Sequence, residues 1–388
     1  MNVNDRPELL KWARERASLT LPQLAQMVGT AAKPAPIEEW EKTGELPLKK
    51  LELLAAKTHV PLGYLFLEAR PEEPLPLPDF RTARSSGVNR PSPELIDTIY
   101  ACARRQDWYR EYLEDVGADR PAFFGRFTAE SDPVEVAADI RSIIGWTPQA
   151  RAAERQLQLV VGRFAVAVEQ AGILVMRNGV VGNNTHRALD PDEFRGFALY
   201  DALAPLIFVN AADAAAAQLF TLAHEVAHIW IGQSALDDVT IITDQPLERF
   251  CNQVAAEVLV PMAELKPEWS GLDVFDKSYL NELSRLSKKF RVSRFVVLIR
   301  AYESGYLTLG ELNALYEAER KRPFRASTDS SGGNFYFTQR SRLGRRFPNA
   351  VIRSARTGQT LMRDAYDLLG VKKHETFLKL AESMEVEV

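Results

Sequence analysis

Two cysteines, Cys102 and Cys251, are too few for a disulfide framework, and five histidines are few for 388 residues. No apolar run reaches the roughly 20 residues that a membrane-spanning helix needs. The opening Met1-Asn2-Val3-Asn4-Asp5-Arg6 lacks the apolar centre of a secretion signal. Charge of one sign is also missing. Lys and Arg number 48 against 52 Asp and Glu, a formal net charge of −4, so no overall basic field marks nucleic acid as the partner. These absences argue against a stapled secreted scaffold and against a membrane partner, and the expected location is cytoplasmic. What is present is 46% hydrophobic, enough for buried cores, and the length fits two or three domains.

Two of the five histidines fall in one stretch, Phe220-Thr221-Leu222-Ala223-His224-Glu225-Val226-Ala227-His228-Ile229-Trp230. Apolar residues recur around them with helical spacing, and Gly232 stands where such a helix stops. His224 and His228, four apart, share a helical face, so both imidazoles can reach one metal ion. Glu225 beside the first histidine can act as general base on a water held there. Burying His, Glu and His together without a metal would leave polar groups hard to satisfy.

A catalytic zinc takes three protein ligands and keeps a position for water. The next helical stretch, Pro246 to Pro261, offers two acids. Glu248 and Asn252, four apart on one face, can supply a ligand and a group that fixes the far ring nitrogen of a histidine. Glu257 lies nine positions beyond Glu248, about two and a half turns on, so it is expected behind the ligands or in a buried pair. Cys251 is a soft donor in principle, but Phe250 and Val254 beside it suit a packed thiol. The His, His, Glu set suits zinc; manganese stays open, because affinity order alone does not decide which ion is bound.

Val209-Asn210, the run from Gln218 to His228 and the run from Glu248 to Pro261 resemble the ImmA/IrrE family of metallopeptidases, most specifically over residues 205–261. The resemblance implies a thermolysin-like, gluzincin-type fold around the metal, with Glu248 as third ligand and Asn252 supporting a histidine. The spacing from His228 to Glu248 (248 − 228 = 20) is compatible with it. It also implies an endopeptidase whose substrate is a protein, commonly a helix-turn-helix repressor whose cleavage switches on stress-response or mobile-element genes. The substrate backbone would add as a strand to the sheet edge beside the metal helix.

Residues 1–69 read as five short helices: one opened by Pro7, one capped by Thr20 and stopped by Gly29, Pro36–Lys42 ended by Gly44, Leu48–Thr58, and Leu62–Leu67. Their order and spacing resemble the XRE-type (Cro/CI-like) helix-turn-helix domain. The segment that would enter the major groove carries Glu38, Glu39 and Glu41, with Lys33 and Lys42 as the nearby candidates for phosphate contact. DNA and protein both stay open as partners of this domain. Residues 70–93 form a proline-rich connector. Pro78-Asp79-Phe80-Arg81-Thr82 within it is expected to dock on the peptidase domain.

Residues 94–265 are expected to form that domain. Helices over 93–116, 133–144 and 150–170 lead to strand candidates at Gly172–Met176, Val180–Val181 (returning through Asn178-Gly179), Phe197–Tyr200 and Leu206–Asn210. The pattern predicts a small antiparallel sheet ahead of the metal helix. Tyr200, His186 and Arg195 lie upstream where an oxyanion donor could come from, but each reads as an ordinary residue. Residues 266–322 form a helical extension with a second helix-turn-helix-like pair, Leu280–Phe290 and Ser293–Glu303. Residues 323–388 form a C-terminal regulatory or partner-binding region. It holds a flexible Ser330-Ser331-Gly332-Gly333 joint, a strand candidate at Phe335-Tyr336-Phe337 and two closing helices. Its arginines suit a solvated face, an acidic partner or nucleic acid.

The expected fold is therefore α+β, predominantly α. The expected function is a regulatory zinc endopeptidase with Glu225 as base and His224, His228 and Glu248 on the metal; a dimer is compatible with it. The alternative is a DNA-binding regulator or antitoxin-type protein with a non-proteolytic metal site, which the intact Glu225 disfavours.

Overall fold

A computed structural model describes residues 2–4, 6–17, 19–30, 33–71, 91–236, 245–269, 279–320 and 335–384. The proline-rich connector over 72–90, with its Pro78–Thr82 motif, and the Ser330–Gly333 joint lie outside them. The described chain divides into two compact units, one up to Tyr100 and the other from Ala101 onward. Most of it is helical.

The first unit holds α1 (Pro7–Arg16), α2 (Leu21–Met27), α3 (Ala35–Thr43) and α4 (Leu48–Thr58). Thr20 and Gln23 cap α2 reciprocally, and Gly44 ends α3 in the left-handed region at φ +73°. A single 3-10 turn, Leu62–Phe66, stands where a fifth helix was expected. Two strands that the sequence did not signal, β1 (Asn2–Asn4) and β2 (Glu45–Pro47), pair antiparallel; at three residues each they are too short to show alternation. Leu9, Leu10, Leu24, Ile37, Leu51, Leu54 and Leu65 close the core. Arg14 grips Glu41 through two nitrogens, at 2.6 and 2.9 Å, which takes one of the three acids of α3 into an internal pair.

The helices α5 (Pro93–Asp115), α6 (Pro133–Ile144), α7 (Pro148–Ala152) and α8 (Leu157–Gln170) precede the strands β3 (Leu174–Asn178), β4 (Val180–Val181), β5 (Asn184–Ala188), β6 (Gly196–Leu199) and β7 (Leu206–Asn210). Then come α9 (Ala215–Trp230), β8 (Ala235–Leu236) and α10 (Pro246–Leu259). The central sheet has the order β3-β7-β6-β8. It is mixed, which corrects the antiparallel expectation: β3 runs parallel to β7, with Leu174 opposite Leu206, while β6 and β8 run antiparallel to their neighbours. Asn178-Gly179 does not turn β3 back on itself, because β4 pairs with β5 in a separate ribbon. That ribbon and β6 lie between β3 and β7 in sequence, which gives the chain length to return parallel. All five residues of β7 are buried, as suits a strand flanked on both sides.

Helices α6, α8, α9 and α10 share one core, in which the Phe123 ring stacks on Trp230 at 4.0 Å and Trp146 meets Phe164 edge-on. The chain continues through α11 (Met262–Glu268), α12 (Tyr279–Phe290), α13 (Arg294–Glu303) and α14 (Leu309–Arg320). Leu283, Leu286, Val297 and Leu298 of the α12–α13 pair belong to the same core as Val254 and Val258 of α10. Four basic side chains of this pair are bound to acids of the same chain, two of them at the surface. Arg285 and Lys289 bind Glu268, Arg294 binds Glu319, and Arg300 is buried against Glu257.

The end of the chain is α15 (Phe335–Leu343), α16 (Arg346–Arg356), α17 (Met362–Leu369) and α18 (His374–Ser383). Phe335-Tyr336-Phe337 thus opens a helix rather than a strand. Its aromatics favour a strand locally, but Gln339 and Leu343, four apart, are the residues that α15 buries, and that helical face decides. Among the described residues no helix is long and apolar enough to cross a membrane.

Candidate metal centre

The site is built by α9 and α10 lying against each other beneath the sheet. Asn210, fully buried at the end of β7, accepts from Ala212 N–H and donates to Phe194 O. These bonds turn the chain sharply into α9. Pro246 starts α10 and places Glu248 in its first turn, where the helix dipole favours a carboxylate.

His224 Nε2 lies 3.0 Å from His228 Nε2 and 3.1 Å from Glu248 Oε2, and His228 Nε2 lies 3.4 Å from Glu248 Oε1. Asn252 Oδ1 stands 2.9 Å from His224 Nδ1. A carboxamide oxygen only accepts, so His224 Nδ1 carries the proton and its Nε2 turns a lone pair toward the other two groups. Three electron-rich atoms held this close repel one another unless a cation sits among them. Ligands about 2.0–2.1 Å from a tetrahedral zinc stand about 3.3 Å from each other, the spacing found here. The donor set and its geometry therefore fit a metal ion. Among the described residues, His224, His228 and Glu248 form the one group of three or more His, Cys, Asp or Glu side chains able to hold such an ion.

His224, Glu225 and His228 are buried to within 1%. Glu225 packs against β6: a Cβ built on Gly196 would stand 3.2 Å from Glu225 Oε1, 2.9 Å from Phe208 O and 2.5 Å from Thr221 Cγ2. Only glycine lets this strand lie so close to the helix. The sequence carried that signal, a glycine directly before an apolar strand, but the strand was read from Phe197 onward. Gln106, also unsignalled, donates to Leu199 O and Ala204 O and so fixes the turn between β6 and β7.

The remaining candidates lie elsewhere. The Glu257 carboxylate accepts from Met262 N–H and from buried Arg300, joining α10 to α11 and α13. Cys251 is packed in the core. Tyr200 stacks on Phe124 and gives its N–H to Ser234 Oγ, Arg195 lies 3.6 Å from Asp213, and His186 is exposed on β5. Lys33 and Lys42 are exposed in the first unit.

Residues 168–302 match the family model Peptidase_M78, the IrrE N-terminal-like domain. This part of the chain is similar to an ImmA/IrrE-type peptidase. The matched span runs from the end of α8 into α13 and contains all three residues of the metal group, together with Glu225, Asn252 and Gly196. Residues 343–383 match a domain of unknown function, DUF8813, which covers α16 to α18. Comparison with curated proteins and with solved structures gives no match.

Proposed function

We propose that this protein is a metal-dependent endopeptidase with a regulatory role, cutting a partner protein such as a helix-turn-helix repressor. The observation that carries the reading is the His224, His228 and Glu248 group with Glu225 next to it on α9. His224, His228 and Glu248 would hold the ion, a donor set that suits zinc and leaves manganese open. Bound there, zinc supplies Lewis acidity toward a water and toward the scissile carbonyl. Asn252 keeps His224 in the tautomer that offers Nε2. Glu225 takes the proton from the attacking water and delivers it to the departing amine nitrogen. The core around α9 excludes bulk water and so strengthens each of these charge interactions.

The test is metal content of the purified full chain, beside His224→Ala and Glu225→Gln. Wild type and Glu225→Gln are expected to hold about one equivalent of zinc, and His224→Ala to lose it. Glu225→Gln should then capture the partner protein without cutting it. No zinc in the wild type, even when supplied, would end the peptidase reading.

A further inference from the structure

Arg177, near the end of β3, is 6% exposed and has no carboxylate in ion-pair range among the described residues. Among the described residues only one acceptor serves its five N–H groups: Nη2 donates to Gln218 Oε1 at 3.0 Å, and Nε has none. Burial alone pushes its pKa down to about 10. A buried guanidinium without a counter-charge is costly, and proteins rarely keep one without a use for it.

Its position indicates the use. Gln218 lies in the first turn of α9, and its amide nitrogen folds back to donate to Asp213 O at 2.7 Å and Ala211 O at 3.3 Å. The guanidinium therefore stands at the base of the N-terminus of α9, a sixteen-residue helix. The N-cap residue Ala214 has no side-chain oxygen to cap that end, and Ala215 to Ala217 offer only methyl groups. Residues 213–217 are partly exposed, so their N–H groups can be reached from solvent. Asp213, the nearby acid, accepts from Ala214 N–H and faces Arg195 at 3.6 Å. Arg195 thus faces the Asp213 carboxylate, while the Arg177 guanidinium has no such partner among the described residues. A second positive charge at a helix N-terminus is unfavourable unless an anion joins them.

We propose that Arg177 and the N-terminus of α9 bind a phosphate group, free or as a monoester. The ring of donors comprises the N–H groups of Ala215 to Ala217 and the Arg177 guanidinium, with Arg195 at the rim. The site is separate from the metal group: His224 lies nine residues along the same helix, about 14 Å away.

Thermal unfolding of the full chain tests this, in inorganic phosphate against chloride at matched ionic strength, with and without a chelator so that binding through a metal is distinguished. Wild type is expected to gain about 3 °C at saturating phosphate in both conditions. Arg177→Gln should lose the gain. Ala216→Glu puts a carboxylate at the helix end; it should raise Tm in chloride and abolish the phosphate response, and it carries the test if Arg177→Gln fails to fold. A response to adenosine monophosphate at lower concentration assigns the site to a phosphate ester, and an equal or weaker one to the free anion. A wild type indifferent to phosphate, a gain that vanishes with the chelator, or an unchanged response in Ala216→Glu would overturn the assignment.

Discussion

At the residue scale, two side chains beside the metal group set its precision. Asn252 holds the His224 ring by its far nitrogen. Asn252→Ala should leave the ligands in place but weaken metal binding about 10–100-fold, read by competition with a chelator of known affinity; unchanged affinity would mean that packing alone orients the ring. Gly196 is the closer constraint. A methyl there would meet Thr221 Cγ2 at 2.5 Å and Phe208 O at 2.9 Å, a side chain and a backbone oxygen from two different elements. Gly196→Ala is expected to cost about 1–3 kcal/mol through overpacking, seen as a lowered denaturation midpoint. Adding Thr221→Ser removes the first clash and keeps the hydroxyl, so part of the loss should return. If the single variant is as stable as wild type, the close approach of β6 to Glu225 is not the constraint described.

At the element scale, the two helices of the site were legible and the sheet was not. His224 and His228 sit in a long apolar stretch whose 3.6-residue period has no competing reading, and Pro246 marks the start of α10. Strand pairing depends on residues far apart in sequence. The apolar runs of β3 and β7 read alike whether they pair parallel or antiparallel, so only the folded chain distinguishes them. The join between α8 and α16 was equally silent, because a lone Glu169 carries no local pattern. Its buried carboxylate accepts the N–H groups of Arg345 and Arg346 at 2.9 to 3.1 Å, while Arg346 donates to Glu169 O and to the Tyr109 hydroxyl. Burial raises its pKa to about 7, outweighing those backbone bonds and the two arginine charges. A carboxyl whose folded pKa is raised contributes stability below its ordinary value near 4.5 and loses it as pH climbs through about 7. The wild type should therefore lose about 3 kcal/mol between those limits through this group. Glu169→Gln keeps an acceptor for the N–H groups and should flatten that part of the profile. Denaturation midpoints from pH 5 to 8 check it, and parallel slopes for the two proteins would remove Glu169 from the account.

At the scale of the whole molecule, helical content followed from caps and stops such as Thr20, Gly29 and Gly44, which act within a few residues of one another, whereas the boundary between the two units at Tyr100 falls inside α5, where no stop marks it. Partner choice is harder to read, since it depends on which charged side chains remain available after folding. The second helical pair shows this: its sequence is rich in Arg and Lys, yet Arg285, Lys289, Arg294 and Arg300 are held by Glu282, Glu268, Glu319 and Glu257. The same accounting can be applied to α3 of the first unit. On α3, Glu38 and Glu39 remain exposed while Arg14, which could have met a phosphate, is bound to Glu41. Lys33 and Lys42 are exposed beside them, but two lysines against two acids leave little net attraction for a duplex whose affinity rests on phosphate neutralisation. The full protein is therefore expected to leave duplex DNA unshifted at about 50 mM salt, where such binding is strongest. A retarded band that fades as salt rises, and is lost in the Lys33→Ala, Lys42→Ala double variant, would place DNA on this face instead. The catalytic reading would be untouched by that result, because the metal group belongs to the other unit.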